Sequence, residues 1–263
     1  MGITAFKVDS FTAEPFAGNP AGVCLLSEPR PERWMQAVAR EMNLSETAFL
    51  VREGGGFRLR WFTPAVEVAL CGHATLASAH VLWEEGTLAP GEIARFATKS
   101  GELRAARRGE LIELDFPAKP EAPAAPPANL LEAIGASPTY LGRNAFDYLL
   151  LLGSEGAVRA VTPDFALLRR VDVRGVIVTA PASTPGYDFV SRFFAPAVGV
   201  DEDPVTGSAH CCLGPFWAAR LGRTELSAYQ ASARGGALQI RVAGDRVFLG
   251  GRAVTVLRGE LAV

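Results

Sequence analysis

Two stretches of the chain, FTPAVEV at residues 62–68 and FAPAVGV at residues 194–200, share the pattern F-x-P-A-V-x-V. A small-residue turn and a helix-like run follow each, CGHATLASAHVLW in the first half and TGSAHCCLGPFW in the second. Aligning the turns places Cys71, Gly72, His73 and Ala74 on Thr206, Gly207, Ser208 and Ala209, with three extra residues in the acidic loop of the second copy. Self-similarity at this spacing restricts the fold: the chain is expected to consist of two halves built on one plan.

The remaining sequence supplies strands for both halves. ITAFKVDSF, GVCLL, ETAFLV, FRLRWF and LIELDF read as strands before PAKPEAPAAPP at residues 117–127, and PERWMQAVAREM and ATLASAHVLWEEG read as helices. The five prolines of that segment can continue neither a ladder nor a helix, so a domain boundary is expected there. Beyond it, LLEAIG reads as a short helix, DYLLLLG, AVRAVT, GVIVTA and YDFVSRFF as strands, AHCCLGPFWAARLG as a helix, and residues 237–261 as a strand meander. Many strands around few helices, without regular βαβ alternation, is an α+β pattern.

Composition narrows the function classes. The 263 residues, 49% hydrophobic and 21% charged, can bury one large or two modest cores. A net charge of −2 and a pI near 6.0 argue against nucleic acid or an anionic membrane as partner and leave a small molecule. MGITAFKVDSF has no basic segment followed by an apolar one, and no run approaches a membrane span, so a cytoplasmic protein is expected. Cys24, Cys71, Cys211 and Cys212 form no CxxC, and neither a disulfide framework nor a zinc cage is expected.

The repeated turns carry chemistry of their own. The first N–H groups of a helix lack intrahelical partners and sit at the positive end of the macrodipole, so a glycine-containing approach leaves a place for a carboxylate. Thr75 and Ser208 as ordinary caps are the plainer alternative. DEDPVTGSAH, residues 201–210, matches neither a Walker loop, nor a calcium loop beyond Asp201 and Asp203, nor a GxSxG elbow. HExxH pairs are absent, and no metal is expected from Asp203, His210 and His73.

The strings KVDSFTAEPFAGNPAGV, SETAFL, RWFTPAVEVALCGHAT, DEDPVTGSAH and QASARGG occur in order across nearly the whole chain. In these the sequence resembles the PhzF-like phenazine biosynthesis family, within the diaminopimelate epimerase and proline racemase fold group. The resemblance implies two similar domains, each a curved, mostly antiparallel sheet or barrel around a central helix, with a cleft between them. Residues 1–117 would form the first domain and 128–253 the second, the last strand, about 254–263, returning to the first. It further implies Glu46 as the acid/base that moves a proton between two carbons, with His73, Asp203 and Ser208 as its partners. Independently, Glu46, Ala48 and Leu50 share one face of a strand, and a carboxyl on an apolar face is desolvated toward a pKa suited to taking and returning a proton.

Epimerases of this fold group resemble the chain but place one thiol at each turn. Here Cys71 stands at the first and Thr206 at the second, and a threonine hydroxyl is a far poorer acid/base. Asn19, Cys71, Gly72, Thr206, Gly207, Gln230 and Gly235 are the expected substrate-binding positions, with Gly236 beside Gly235. The expected function is a cofactor-independent isomerase of a small, carboxylate-bearing substrate that is cyclic and amino acid-like in the family's characterised reaction, the isomerisation of a dihydro-hydroxyanthranilate. The alternatives are an epimerase or racemase using Cys71 and a non-catalytic metabolite-binding protein. A homodimer is compatible with the family.

Overall fold

The computed structural model describes residues 2–262 and divides into two compact units. One comprises residues up to Asp115 together with those from Gly250 onward, and the other comprises Phe116–Leu249. The chain runs β1 (Ile3–Ser10), β2 (Asn19–Leu26), α1 (Glu32–Met42), β3 (Glu46–Glu53), β4 (Gly56–Phe62), β5 (Glu67–Val68), α2 (Gly72–Glu84), β6 (Ala94–Thr98), β7 (Gly101–Arg108) and β8 (Leu111–Pro117). There follow β9 (Ala122–Pro123), α3 (Leu130–Ile134), β10 (Tyr140–Arg143), β11 (Asp147–Leu151), α4 (Glu155–Ala160), α5 (Phe165–Leu168), β12 (Gly175–Pro181) and β13 (Phe189–Phe194). The last elements are α6 (Gly207–Leu221), β14 (Glu225–Gln230), β15 (Gly236–Ala243), β16 (Arg246–Gly251) and β17 (Ala253–Leu261).

The repeat seen in the sequence reappears as strand pairing. In the first unit β1 pairs antiparallel with β2, β2 parallel with β3, β3 antiparallel with β4, β4 parallel with β6, and β6 antiparallel with β7. The second unit follows the same order through β10, β11, β12, β13, β14 and β15. A parallel join requires a crossover. In each unit the second crossover contains the helix that follows the shared F-x-P-A-V-x-V motif, α2 in one and α6 in the other. β17 pairs antiparallel along the full length of β1 and so belongs to the first unit's sheet.

Both of these helices are apolar on every face, which suits a helix enclosed by its sheet. In α2 every residue from His73 to Ala79 and from Val81 to Trp83 is buried. It packs on β1, β2, β3, β7 and β17, and one straight helix reaches strands so widely spaced only where the sheet bends around it. In the second unit Trp217 of α6 stacks on Phe189 of β13 at 5.4 Å and donates its indole N–H to Thr179 Oγ1 of β12 at 3.0 Å. Pro215 lies inside α6 and cannot donate to the carbonyl of Cys211, four residues earlier. The Lys119 N–H takes that carbonyl at 2.9 Å and ties the proline-rich segment to the helix.

Two readings of local structure are corrected. AVRAVT, read as a strand, lies largely in α4: Ser154 caps this helix by accepting the Ala157 N–H at 3.1 Å, and Val158 and Val161 are buried at helical rather than alternating spacing. The proline-rich segment also contributes β9, a two-residue strand on the edge of β10, where Pro123 needs no ladder donor.

α4 begins with a buried acid. The Glu155 carboxylate accepts hydrogen bonds from Ser183 N (2.7 Å) and Oγ (2.9 Å), Thr184 N (2.9 Å) and Oγ1 (2.7 Å), and Arg159 Nε (2.8 Å). Burial by itself would raise its pKa, but the bonds from Thr184, Arg159 and Ser183 prevail and hold it well below the usual carboxylate range. The turn after β12 is thereby fastened to α4.

Candidate active site

In the first unit, β3 starts on Glu46 and α2 starts on Gly72, with Cys71 as its N-cap. No side chain caps α2; the Thr75 hydroxyl instead donates back to the Cys71 carbonyl at 2.5 Å. Within the first turn the Ala74 N–H is directed to the Cys71 side chain. His73, buried in the first turn, is anchored by the Ser10 hydroxyl, which donates to its carbonyl at 2.8 Å.

The side chains of Glu46, Cys71 and His73 converge. His73 Nε2 is 3.2 Å from Glu46 Oε2, and His73 Nδ1 is 3.5 Å from Cys71 Sγ. The Glu46 side chain is 17% exposed, and its Oε1 has no hydrogen-bond partner among the described residues. Burial disfavours charge on His73, but its contacts with Cys71 and Glu46 outweigh it and hold its pKa above the ordinary value; near neutral pH, where Cys71 is a thiol, the charge beside the ring is the Glu46 carboxylate. Burial, reinforced by the Glu46 charge, pushes the Cys71 thiol up to about 11, so its nucleophilic and basic form is disfavoured near neutral pH.

The three ligand-type atoms lie within 4.8 Å of one another, close enough to consider a metal. The geometry does not favour one. Sγ is 3.5 Å from Nδ1 and 4.0 Å from Nε2, beside the ring, whereas tetrahedral coordination would place the sulfur beyond the metal-bound nitrogen. Asn19, at the head of β2 opposite Ser10, is fully buried.

In the second unit, the acids of DEDPVTGSAH separate into different roles. Asp201 pairs with Arg169 at 2.9 Å, and Glu202 forms a two-point pair with Arg192 at 2.7 and 2.9 Å. Asp203 accepts the Thr206 hydroxyl at 2.5 Å. Gln230, expected on the substrate wall, is fully buried and turned onto this loop: its Oε1 accepts the Thr206 N–H at 2.8 Å, and its Nε2 donates to the Asp203 carbonyl at 2.7 Å and to Thr206 Oγ1 at 3.1 Å. Its amide holds the Asp203–Thr206 hairpin in shape. Gly235 has φ +64° in the left-handed region, and a Cβ there would meet the Tyr229 hydroxyl at 1.9 Å, so only glycine fits.

α6 repeats the design of α2, with Thr206 as N-cap, Gly207 first in the helix, and no side-chain cap. Ser208 is not a cap either; its Oγ accepts from Arg174 at 3.2 Å. Cys211 and Cys212 are buried farther along α6, and burial pushes both thiols up to about 12. His210 is buried between Ser191 and the Thr206 carbonyl, to which Nδ1 donates at 2.8 Å.

Burial lowers the His210 pKa to about 4, and the Thr206 carbonyl opposes this only in part. A histidine protonated more readily when unfolded removes stability as pH falls below about 6.5, and the loss is complete near the folded value. His210 by itself is expected to contribute a loss of about 2 kcal/mol of unfolding free energy between pH 7 and pH 5. Urea unfolding at the two pH values should show this in the wild type and a smaller change in His210→Asn; an equal change in both would refute the assignment.

Arg174 and Asp147 behind Ser208 were not signalled by any motif, because they reach it from strands distant in sequence. The arrangement in both units can now be set against known proteins. The phenazine biosynthesis-like family PhzC-PhzF matches residues 8–259. The chain belongs to this family. A relative from Halalkalibacterium halodurans, named an uncharacterized isomerase, is 56% identical over 257 residues, covering 97% of each chain. The crystal structure of a PhzF family protein from Enterococcus faecalis superposes with a TM-score of 0.96 at 43% identity, covering all of both chains. A probable proline racemase from Agrobacterium radiobacter K84 superposes with a TM-score of 0.65 over 99% of this chain and 93% of its own, and at 14% identity shows a shared fold.

The chain accordingly has the diaminopimelate epimerase-like α+β fold expected from its sequence, and it is an isomerase of the PhzF type. None of the helices among its described residues is long and apolar enough to cross a membrane.

Proposed function

We propose that this PhzF-type isomerase moves a proton between two carbons of a small carboxylate-bearing substrate, with Glu46 as the carrier and no cofactor in the step. The observation that carries the reading is the Glu46–His73 pair: Nε2 at 3.2 Å engages Oε2 and leaves Oε1 to take the proton. His73, with its raised pKa, donates to the carboxylate and fixes its orientation, so that one oxygen is held while the other works. The uncapped start of α2 is suited to a substrate carboxylate, which becomes more electron-rich as a neighbouring C–H bond breaks.

Cys71 is not the base in this reading, because its thiol sits near pKa 11 and Thr206 occupies the matching turn of the other unit. In the second unit Asp203 and Ser208 are the proposed further polar partners of the reaction, held by Thr206 and Gln230 on one side and Arg174 on the other. Incubation with candidate amino-carboxylates in D₂O, followed by mass spectrometry, tests the reading. Deuterium gain at carbon in a turned-over substrate is expected. A carboxylate that binds measurably without exchange would instead identify a metabolite-binding protein.

A further inference from the structure

Arg174 lies immediately before β12 and is held from three sides. Its Nε donates to Asp147 Oδ1 at 2.9 Å and its Nη2 to Asp147 Oδ2, while its guanidinium packs over the rings of Phe146 at 5.1 Å and Phe193 at 5.7 Å. The Asp147 side chain is 1% exposed, and its backbone N–H donates to Asn144 Oδ1 at 2.8 Å. The next residue is Gly175, where a Cβ would meet Phe193 Cζ at 2.3 Å and Asp147 Oδ1 at 3.2 Å, so the space around the ion pair is closed to a side chain. From this fixed mount Nη2 also reaches Ser208 Oγ at 3.2 Å, in the first turn of α6.

A guanidinium has donors and no acceptor, so Ser208 Oγ accepts in this contact. Its own proton then points away from Arg174. We infer that Arg174, mounted on Asp147, is a positioning residue that makes the Ser208 hydroxyl an obligatory hydrogen-bond donor to an anionic group of the substrate at the α6 N-terminus. Without Arg174 the hydroxyl could rotate and turn its oxygen, rather than its proton, toward the ligand. With it, one rotor is set before the ligand arrives. The guanidinium keeps its proton across the working pH range.

The inference rests on the proposed carboxylate chemistry only for the identity of the ligand, so binding and turnover are tested separately. The probe is anthranilate, a ring bearing amine and carboxylate, titrated by calorimetry into the wild type, Arg174→Gln, Ser208→Ala and the double variant, with Arg174→Lys as the conservative control. Each single change is expected to weaken binding about tenfold, the scale of one charge-assisted hydrogen bond. In the double variant the losses should not multiply, because Arg174 acts through Ser208. Arg174→Lys should recover part of the affinity by restoring a donor. Losses that multiply to about a hundredfold, unaltered affinity in Arg174→Gln, or no anthranilate binding by the wild type at millimolar concentration would each overturn the inference. Non-additive binding without deuterium exchange would leave the Arg174 role standing and sink the proton-transfer reading instead. If Arg174→Gln does not fold, as judged by its thermal transition, the comparison passes to Arg174→Lys with and without Ser208→Ala, where the same non-additivity is required.

Discussion

Glu155→Ala is expected to lower the unfolding free energy by about 2 to 3 kcal/mol, the scale of leaving buried donors without their acceptor. The carboxylate receives two backbone N–H groups and two hydroxyls from Ser183 and Thr184, and a guanidinium N–H from Arg159. Truncation leaves these donors facing a void. Glu155→Gln should also be destabilising, since an amide NH₂ in that nest meets donors with a donor. The sign of the pH dependence follows from the lowered pKa. The contribution is present above the ordinary carboxylate value of 4.5 and is lost as pH falls toward the folded-state value. Urea midpoints for wild type and Glu155→Ala at pH 7 measure the effect; a difference under about 1 kcal/mol would show that the turn after β12 is held by other contacts.

Glu46→Gln is expected to reduce solvent-deuterium incorporation by about a thousandfold, within the usual range for loss of a general base. The substitution keeps the shape of the side chain and one acceptor toward His73 Nε2, so the fold and the binding of the substrate carboxylate should persist. The effect should therefore fall on kcat with little change in KM, the pattern of a group needed mainly in the transition state. A large rise in KM at unchanged kcat would make Glu46 a binding residue.

Much of the architecture was legible because the repeat is written twice. F-x-P-A-V-x-V and the turn after it mark the same crossover in both units, and the identical order of antiparallel and parallel joins follows from that duplication. α4 was misread because Val158 and Val161 suggest a strand by composition, while the capping serine and helical spacing decide otherwise. The Glu46–His73 pair joins two recognisable motifs, SETAFL and CGHAT. By contrast, Arg174 and Asp147 belong to no motif, and only the folded strands bring them to Ser208. Gln230 was visible as part of the QASARGG string, but the direction of its amide depends on the loop it supports, which sequence spacing does not encode.

The choice between a carboxyl and a thiol as the proton carrier is tested most directly by comparing deuterium incorporation into one turned-over substrate for Glu46→Gln and Cys71→Ala under identical conditions. The geometry predicts that Glu46→Gln loses exchange while Cys71→Ala stays within about tenfold of the wild type, because a thiol with its pKa near 11 carries little proton traffic at neutral pH. Exchange abolished in Cys71→Ala and retained in Glu46→Gln would contradict the account.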